Sequence, residues 1–115
     1  ARVQLEQCLL ALRASRLPGI EGATQLALAH VHAQLCSIAE WRRCFDAGRK
    51  LIDDTGFADI DIARSTQLGG EVLLANGNTA EARESLSYAR GQWEVLERDD
   101  EAAVLTDLLA EFGDD

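Results

Sequence analysis

The sequence predicts an all-α chain built as a right-handed stack of antiparallel helix pairs, about six helices in one domain over residues 1–115, and three observations carry the prediction. Apolar residues recur at steps of three and four, the period of a helix face, and no segment of useful length alternates as a strand would. A single proline and a few short turn signals divide the chain into segments of helical length. A pattern of apolar and small residues then repeats at a spacing of 38, which implies stacked units.

The first helix rests on Leu5, Cys8, Leu9 and Leu12 and ends by Leu17, because Pro18 disfavours a helical conformation in the residue before it. The second is expected from Thr24 to Ala39; it is apolar almost all round, as suits a helix covered on more than one side. A third, from Glu40 to Asp54, turns Trp41, Cys44, Phe45, Ala47 and Leu51 inward, with Gly56 as a left-handed stop. Asp59 is the expected cap of a fourth helix, Ile60 to Ala75, whose inner residues are Ile62, Ala63, Leu68, Val72, Leu73 and Leu74. Asn76-Gly77-Asn78 signals a turn, and Asn78 with Glu81 has the spacing of a capping box opening a fifth helix that reaches Arg98. Leu86, Ala89, Trp93 and Leu96 form its stripe. A sixth, Glu101 to Phe112, carries Ala102, Leu105, Leu108, Leu109 and Phe112 before a frayed tail.

At the 38-residue spacing, Trp41, Cys44 and Gly48 align with Thr79, Ala82 and Leu86, and His32 and Leu35 with Gly70 and Leu73. At 36 residues, Gln4 to Arg13 aligns with Glu40 to Arg49, so the first helix reads as the second half of an earlier unit. Gly70, Leu73, the turn at Gly77-Asn78, then Ala82, Leu86 and Ala89 resemble the tetratricopeptide repeats, helix pairs with small residues at the crossing. The units here are longer than that family's usual length of about 34, as in the looser repeats of the MalT-like, LuxR-type large ATP-dependent bacterial transcription regulators. The resemblance implies a scaffold whose concave surface receives a peptide or a partner segment. On the best unit that surface would carry Arg64, Gln67, Glu71 and Leu74, and it lacks the lysine and asparagine of the family's clamp for a terminal carboxylate.

Twenty acidic against eleven basic residues give a net charge of -9, which repels a phosphate backbone and argues against direct nucleic-acid binding. No apolar run reaches the roughly 18 residues of a membrane helix. Three cysteines without a CxxC pair suit reduced thiols in a cytoplasm. The start at Ala1, in a chain without methionine, leads us to expect a segment of a longer polypeptide.

His30, His32, Cys36 and Cys44 are the one cluster of soft ligands, with His32 and Cys36 read as sharing a helical face. Packing is the expected role of all four, and no metal or other cofactor is expected. The paired acids Asp53-Asp54, Asp59-Asp61 and Asp99-Asp100 fall at helix ends, where capping and the helix dipole favour them. Gly69-Gly70 lacks the preceding strand of a nucleotide-binding turn and reads as a close helix contact; Trp41 and Trp93 read as core. The serines sit in no nucleophile elbow, so no catalytic machinery is expected.

The expected function is therefore protein interaction or intramolecular regulation within a bacterial regulatory or signalling protein, the partner being a protein, a peptide segment or another domain of the same polypeptide. The alternative is a small-molecule sensor with an effector in the concave groove. The uncovered first helix predicts self-association.

Overall fold

A computed structural model describes residues 2–15 and 17–111, with the side chains of 12–15 outside the description, as are the expected inward roles of Leu12 and Phe112 and the tail. The described residues are all-α and form six helices: α1 (Arg2–Ser15), α2 (Pro18–Gln34), α3 (Ile38–Thr55), α4 (Ile60–Ala75), α5 (Thr79–Val95) and α6 (Asp99–Glu111). Two compact units divide the chain, one ending at Phe57 and the other starting at Ala58.

In the first unit α2 packs against α1 and, more extensively, against α3. Pro18 begins α2 instead of separating it from what precedes, since a proline in the first turn gives up an N–H that has no helical partner anyway. The helix stops at Gln34, so the expected extension to Ala39 is wrong. Cys36 turns the chain through the left-handed region at φ 58°. Three backbone bonds lock that turn: Leu35 N–H to Val31 O (3.0 Å), Cys36 N–H to Ala33 O (3.1 Å) and Ser37 N–H to His32 O (2.9 Å). This is the Schellman arrangement, in which a left-handed residue lets the chain satisfy the last free carbonyls of a helix. Its usual glycine is missing, which is why the sequence hid it. α3 ends as expected, on Gly56 at φ 69°.

The α2/α3 crossing is set by two glycines. A Cβ placed on Gly48 would lie 2.8 Å from Leu26 Cγ and 2.9 Å from the carbonyl oxygen of Gly22; one on Gly22 would lie 2.9 Å from Ile52 Cδ1. Only a hydrogen side chain permits this approach. Trp41, Cys44, Phe45, Gly48 and Ile52 form the buried face of α3, with the Trp41 and Phe45 rings stacked at 4.9 Å. The expected inward Ala47 and Leu51 sit beside that face, half-buried.

In the second unit α5 packs against both α4 and α6. The Asp59 carboxylate caps α4, accepting from Asp61 N–H at 2.6 Å. Asn78 starts α5, but its side chain makes no capping bond, so the expected capping box does not form. The turn there repeats the Schellman bonds: Asn76 N–H to Val72 O, Gly77 N–H to Leu74 O, Asn78 N–H to Leu73 O, with Gly77 at φ 83°. The α5/α6 junction does so again around Glu97 (φ 59°), through Leu96 N–H to Gln92 O, Glu97 N–H to Glu94 O and Arg98 N–H to Trp93 O. Ala63, Leu86, Ala89, Trp93, Ala102, Leu105 and Leu109 make up one core cluster, in which each large side chain contributes roughly 1.5–3 kcal/mol. Leu68, expected inward, is 41% exposed.

The repeat is real, but its spacing is 41, not 38. The turn residues Cys36 and Gly77 are 41 apart. Advanced by that step, the whole buried face of α3 falls on Ala82, Ser85, Leu86, Ala89 and Trp93, all buried on α5. Gly22, Gln25, Ala29 and His32 likewise fall on the buried Ala63, Thr66, Gly70 and Leu73. An error of three residues is close to the 3.6 of one helical turn, so the shorter spacing matches nearly the same faces and looks correct in sequence.

Candidate functional site

Arg64, Gln67, Glu71 and Leu74 follow one another along a single side of α4, at steps that keep them near one line of the helix surface. Arg64 and Glu71 are exposed, Gln67 and Leu74 half-buried. The amide of Gln67 is already engaged at both ends. Its Oε1 accepts from the indole Nε1–H of Trp93 at 2.8 Å, and its Nε2 donates to Glu71 Oε2 at 3.3 Å. Gln67 therefore fastens α4 to α5 and holds Glu71, a structural duty the sequence reading did not foresee. The arginine and the carboxylate stay available, seven residues or about 10 Å apart along the axis. Such a strip can pair with a partner carrying both charges; it holds no nucleophile.

Next to this strip, Glu101 at the start of α6 titrates below its ordinary value, first because Arg98 donates to it at 2.7 Å and, more weakly, through the charge of Arg64. On α3 a second charged surface combines Arg42 with Asp46, Lys50 with Asp54, and Arg43 with Glu40, whose carboxyl is held below its usual range by the Arg43 hydrogen bond. Arg42 lies over the Trp41 ring at 4.9 Å and Arg49 over Phe45 at 5.2 Å. Solvent screens pairs this exposed, so they add little to stability.

His32 and Cys36 do not share a helical face, because Cys36 belongs to the turn after α2. Cys36 and Cys8 are exposed and Cys44 is buried. Among the described residues no three His, Cys, Asp or Glu side chains are grouped as metal ligands would be. Trp41 and Trp93 are 1% exposed, in the core. The residues that sequence reasoning overlooked are the buried polar groups: Gln25 Oε1, His32 Nδ1 and Gln92 Oε1 have no hydrogen-bond partner. Gln25 and His32 stand seven residues apart on the buried side of α2, and a polar pair at that spacing inside an otherwise apolar stripe was the available signal.

No helix among the described residues is long and apolar enough to cross a membrane. No protein-family model matches the chain, and neither a curated protein nor a solved structure does.

Proposed function

We propose that the chain is a non-catalytic helical-repeat scaffold for protein interaction or regulation, which binds a partner segment along the outer side of α4. One observation supports this above all: two helix hairpins share a buried pattern in one 41-residue register, while the exposed residues of the repeat differ freely between them. Repeats of this kind keep their core positions for stacking and leave their surfaces to recognition. On α4 the accessible groups are Arg64 and Glu71 with half-buried Leu74 beside them, which suits a peptide with an acid, a base and an apolar side chain. The resemblance to tetratricopeptide repeats adds the wider reading, a cytoplasmic regulatory or signalling protein of bacterial type whose catalysis and DNA binding reside elsewhere.

The test is selection of peptides from a displayed random library against the chain, followed by charge reversal at Arg64→Glu and Glu71→Arg. Affinity lost by about tenfold or more in each reversal supports the reading, since a well-placed charged contact is worth at least about 1.4 kcal/mol. Peptides indifferent to both reversals sink it. A second reading, an effector held in the first unit, draws support from the unpartnered Gln25 Oε1 and His32 Nδ1. Its mark is a small molecule that raises the melting temperature of the wild type and not of His32→Leu.

A further inference from the structure

The exposed residues of α4 form one continuous stripe. Ile60, Asp61, Arg64, Leu68, Glu71 and Ala75 face solvent, and from Asp61 onward they recur at alternating steps of three and four, with Gln67 and Leu74 half-buried along one edge. A stripe of this period is what one helix presents to a second lying nearly parallel or antiparallel to it. In the 41-residue register the same side of α2 carries Ile20, Ala23, Ala27, His30 and Gln34, without a carboxylate or a guanidinium. The charges are therefore peculiar to α4, and the hairpin itself does not require them.

Their order matters. Arg64 and Glu71 stand on either side of Leu68, which is exposed, and the midpoint between them falls between Gln67 and Leu68. When α4 is turned end over end about that midpoint and laid on a copy of itself, Arg64 comes opposite the partner's Glu71 and Glu71 opposite the partner's Arg64. Ile60 comes opposite the partner's Ala75, and Leu68 beside the partner's Leu68. Asp61, the remaining charge of the stripe, comes opposite the partner's Leu74 near the end of the overlap. Parallel pairing would instead set arginine on arginine and glutamate on glutamate. Glu71 is steadied by the Gln67 amide at 3.3 Å, and Arg64 acts on Glu101 only through its charge, the hydrogen bond of that carboxylate being made by Arg98.

We propose that two copies of this chain pair antiparallel through the outer side of α4, held by reciprocal Arg64–Glu71 contacts around a central Leu68. Self-complementarity selects a second copy as the occupant. A foreign segment can use the two charges in any arrangement, whereas a two-fold contact needs a cation and an anion placed evenly about its centre. Such a contact closes at the dimer. A single helix pair buries less than the roughly 1,200 Å² of standard interfaces, so the dimer is weak and reversible, and it covers α4 as concentration rises. The proposal rests on the reading of this side of α4 as the recognition surface and names a second copy as its partner, in competition with a peptide.

The test is sedimentation velocity on the full chain between about 0.01 and about 1 mM, with circular dichroism checking that substitutions at these exposed positions leave the helices intact. The wild type is expected to move from 12.5 kDa toward twice that mass and no further. Arg64→Glu and Glu71→Arg, each alone, set like charges opposite one another twice per dimer and are expected to raise the dissociation constant about tenfold or more. An equimolar mixture of these two variants regains both contacts in a mixed dimer, and the double variant Arg64→Glu/Glu71→Arg regains them in its own. Both are expected to pair within about threefold of the wild type. A wild type that stays monomeric, single reversals that pair as well as the wild type, a mixture or double variant that does not recover, or growth past the dimer overturns the proposal. Peptide selection on the dilute, monomeric chain judges the recognition reading separately: a wild type that stays monomeric yet selects charge-dependent peptides sinks the self-pairing alone.

Discussion

The α2/α3 and α4/α5 hairpins share a turn, a register and a buried face, yet their helices come closest at different positions of that register. In the first, Gly48 on α3 meets Leu26 and the carbonyl oxygen of Gly22 on α2; in the second, the tight residue is Gly70 on α4, which meets Leu86 on α5. A Cβ on Gly70 would come within 2.6 Å of Leu86 Cγ. In the 41-residue register, the pair Gly22 and Gly48 of the first hairpin becomes Ala63 and Ala89 in the second, and the pair Gly70 and Leu86 of the second corresponds to Ala29 and Phe45 in the first. Each of these pairs contains at least one small residue, and glycine marks where the helices of each hairpin come closest. Interior polarity separates them further. The second hairpin ties its helices together with polar groups, Ser85 Oγ–H donating to Thr66 O at 2.6 Å and Trp93 donating to Gln67, and leaves Gln92 Oε1 without a partner; the first leaves both Gln25 Oε1 and His32 Nδ1 without partners.

Several substitutions break or sharpen this contrast. Ala82→Leu overfills a position with no exposure at all and is expected to destabilise by roughly 1–3 kcal/mol in urea unfolding. Next comes a matched pair. Gly48→Ala meets a backbone carbonyl at 2.9 Å, which cannot rotate away, whereas Gly70→Ala meets chiefly the Leu86 side chain. Gly48→Ala should therefore cost more, about 1–2 kcal/mol after the helix-propensity gain of about 0.5–1 kcal/mol, and equal losses would remove the distinction drawn between the crossings. Cys36→Gly and Glu97→Gly each relieve a left-handed residue of a kind that disfavours it and should raise stability by about 1 kcal/mol, read as a higher denaturation midpoint. Gly91, inside α5 with open space where its Cβ would lie, is the control: Gly91→Ala should stabilise by about 0.5–1 kcal/mol.

The smallest effect is a pH dependence, which near neutrality comes from the first unit. Burial lowers the pKa of the His30 imidazole from its ordinary 6.5 by penalising the charged form. As pH falls through that ordinary value the unfolded chain takes up the proton first, so folded stability declines from there downward. His30→Gln should flatten the melting temperature between about pH 7 and about pH 5. Glu40 and Glu101 act lower on the scale. Their carboxyls are held below the ordinary value of 4.5 by Arg43 and Arg98, so their contribution is present above that value and fades as pH drops through the depressed one.

The fourth helix was legible to the residue, because Asp59 caps it and Asn76-Gly77 closes it with standard turn chemistry. The end of α2 was not, since Cys36 adopts a backbone conformation that its side chain gives no reason to expect. The spacing of the repeat failed through the same residue: with one turn unmarked, nothing in the sequence told 38 from 41. At the candidate site, Arg64, Gln67, Glu71 and Leu74 came from the resemblance to tetratricopeptide repeats, and their common side of α4 followed from helical spacing. That Gln67 is occupied by Trp93 did not, because the two are 26 residues apart and meet only through the way α4 lies on α5.

The three like-built junctions act as indexing gears. Every residue in a helix advances the direction of the next side chain by about 100°. One amino acid inserted after Ala75 would therefore swing Leu86, Ala89 and Trp93 a quarter turn or more off the surface they fill, although nothing in α5 itself had changed. Evolution can repaint the outward positions of these hairpins at little thermodynamic risk, but the count of residues through each bend is frozen.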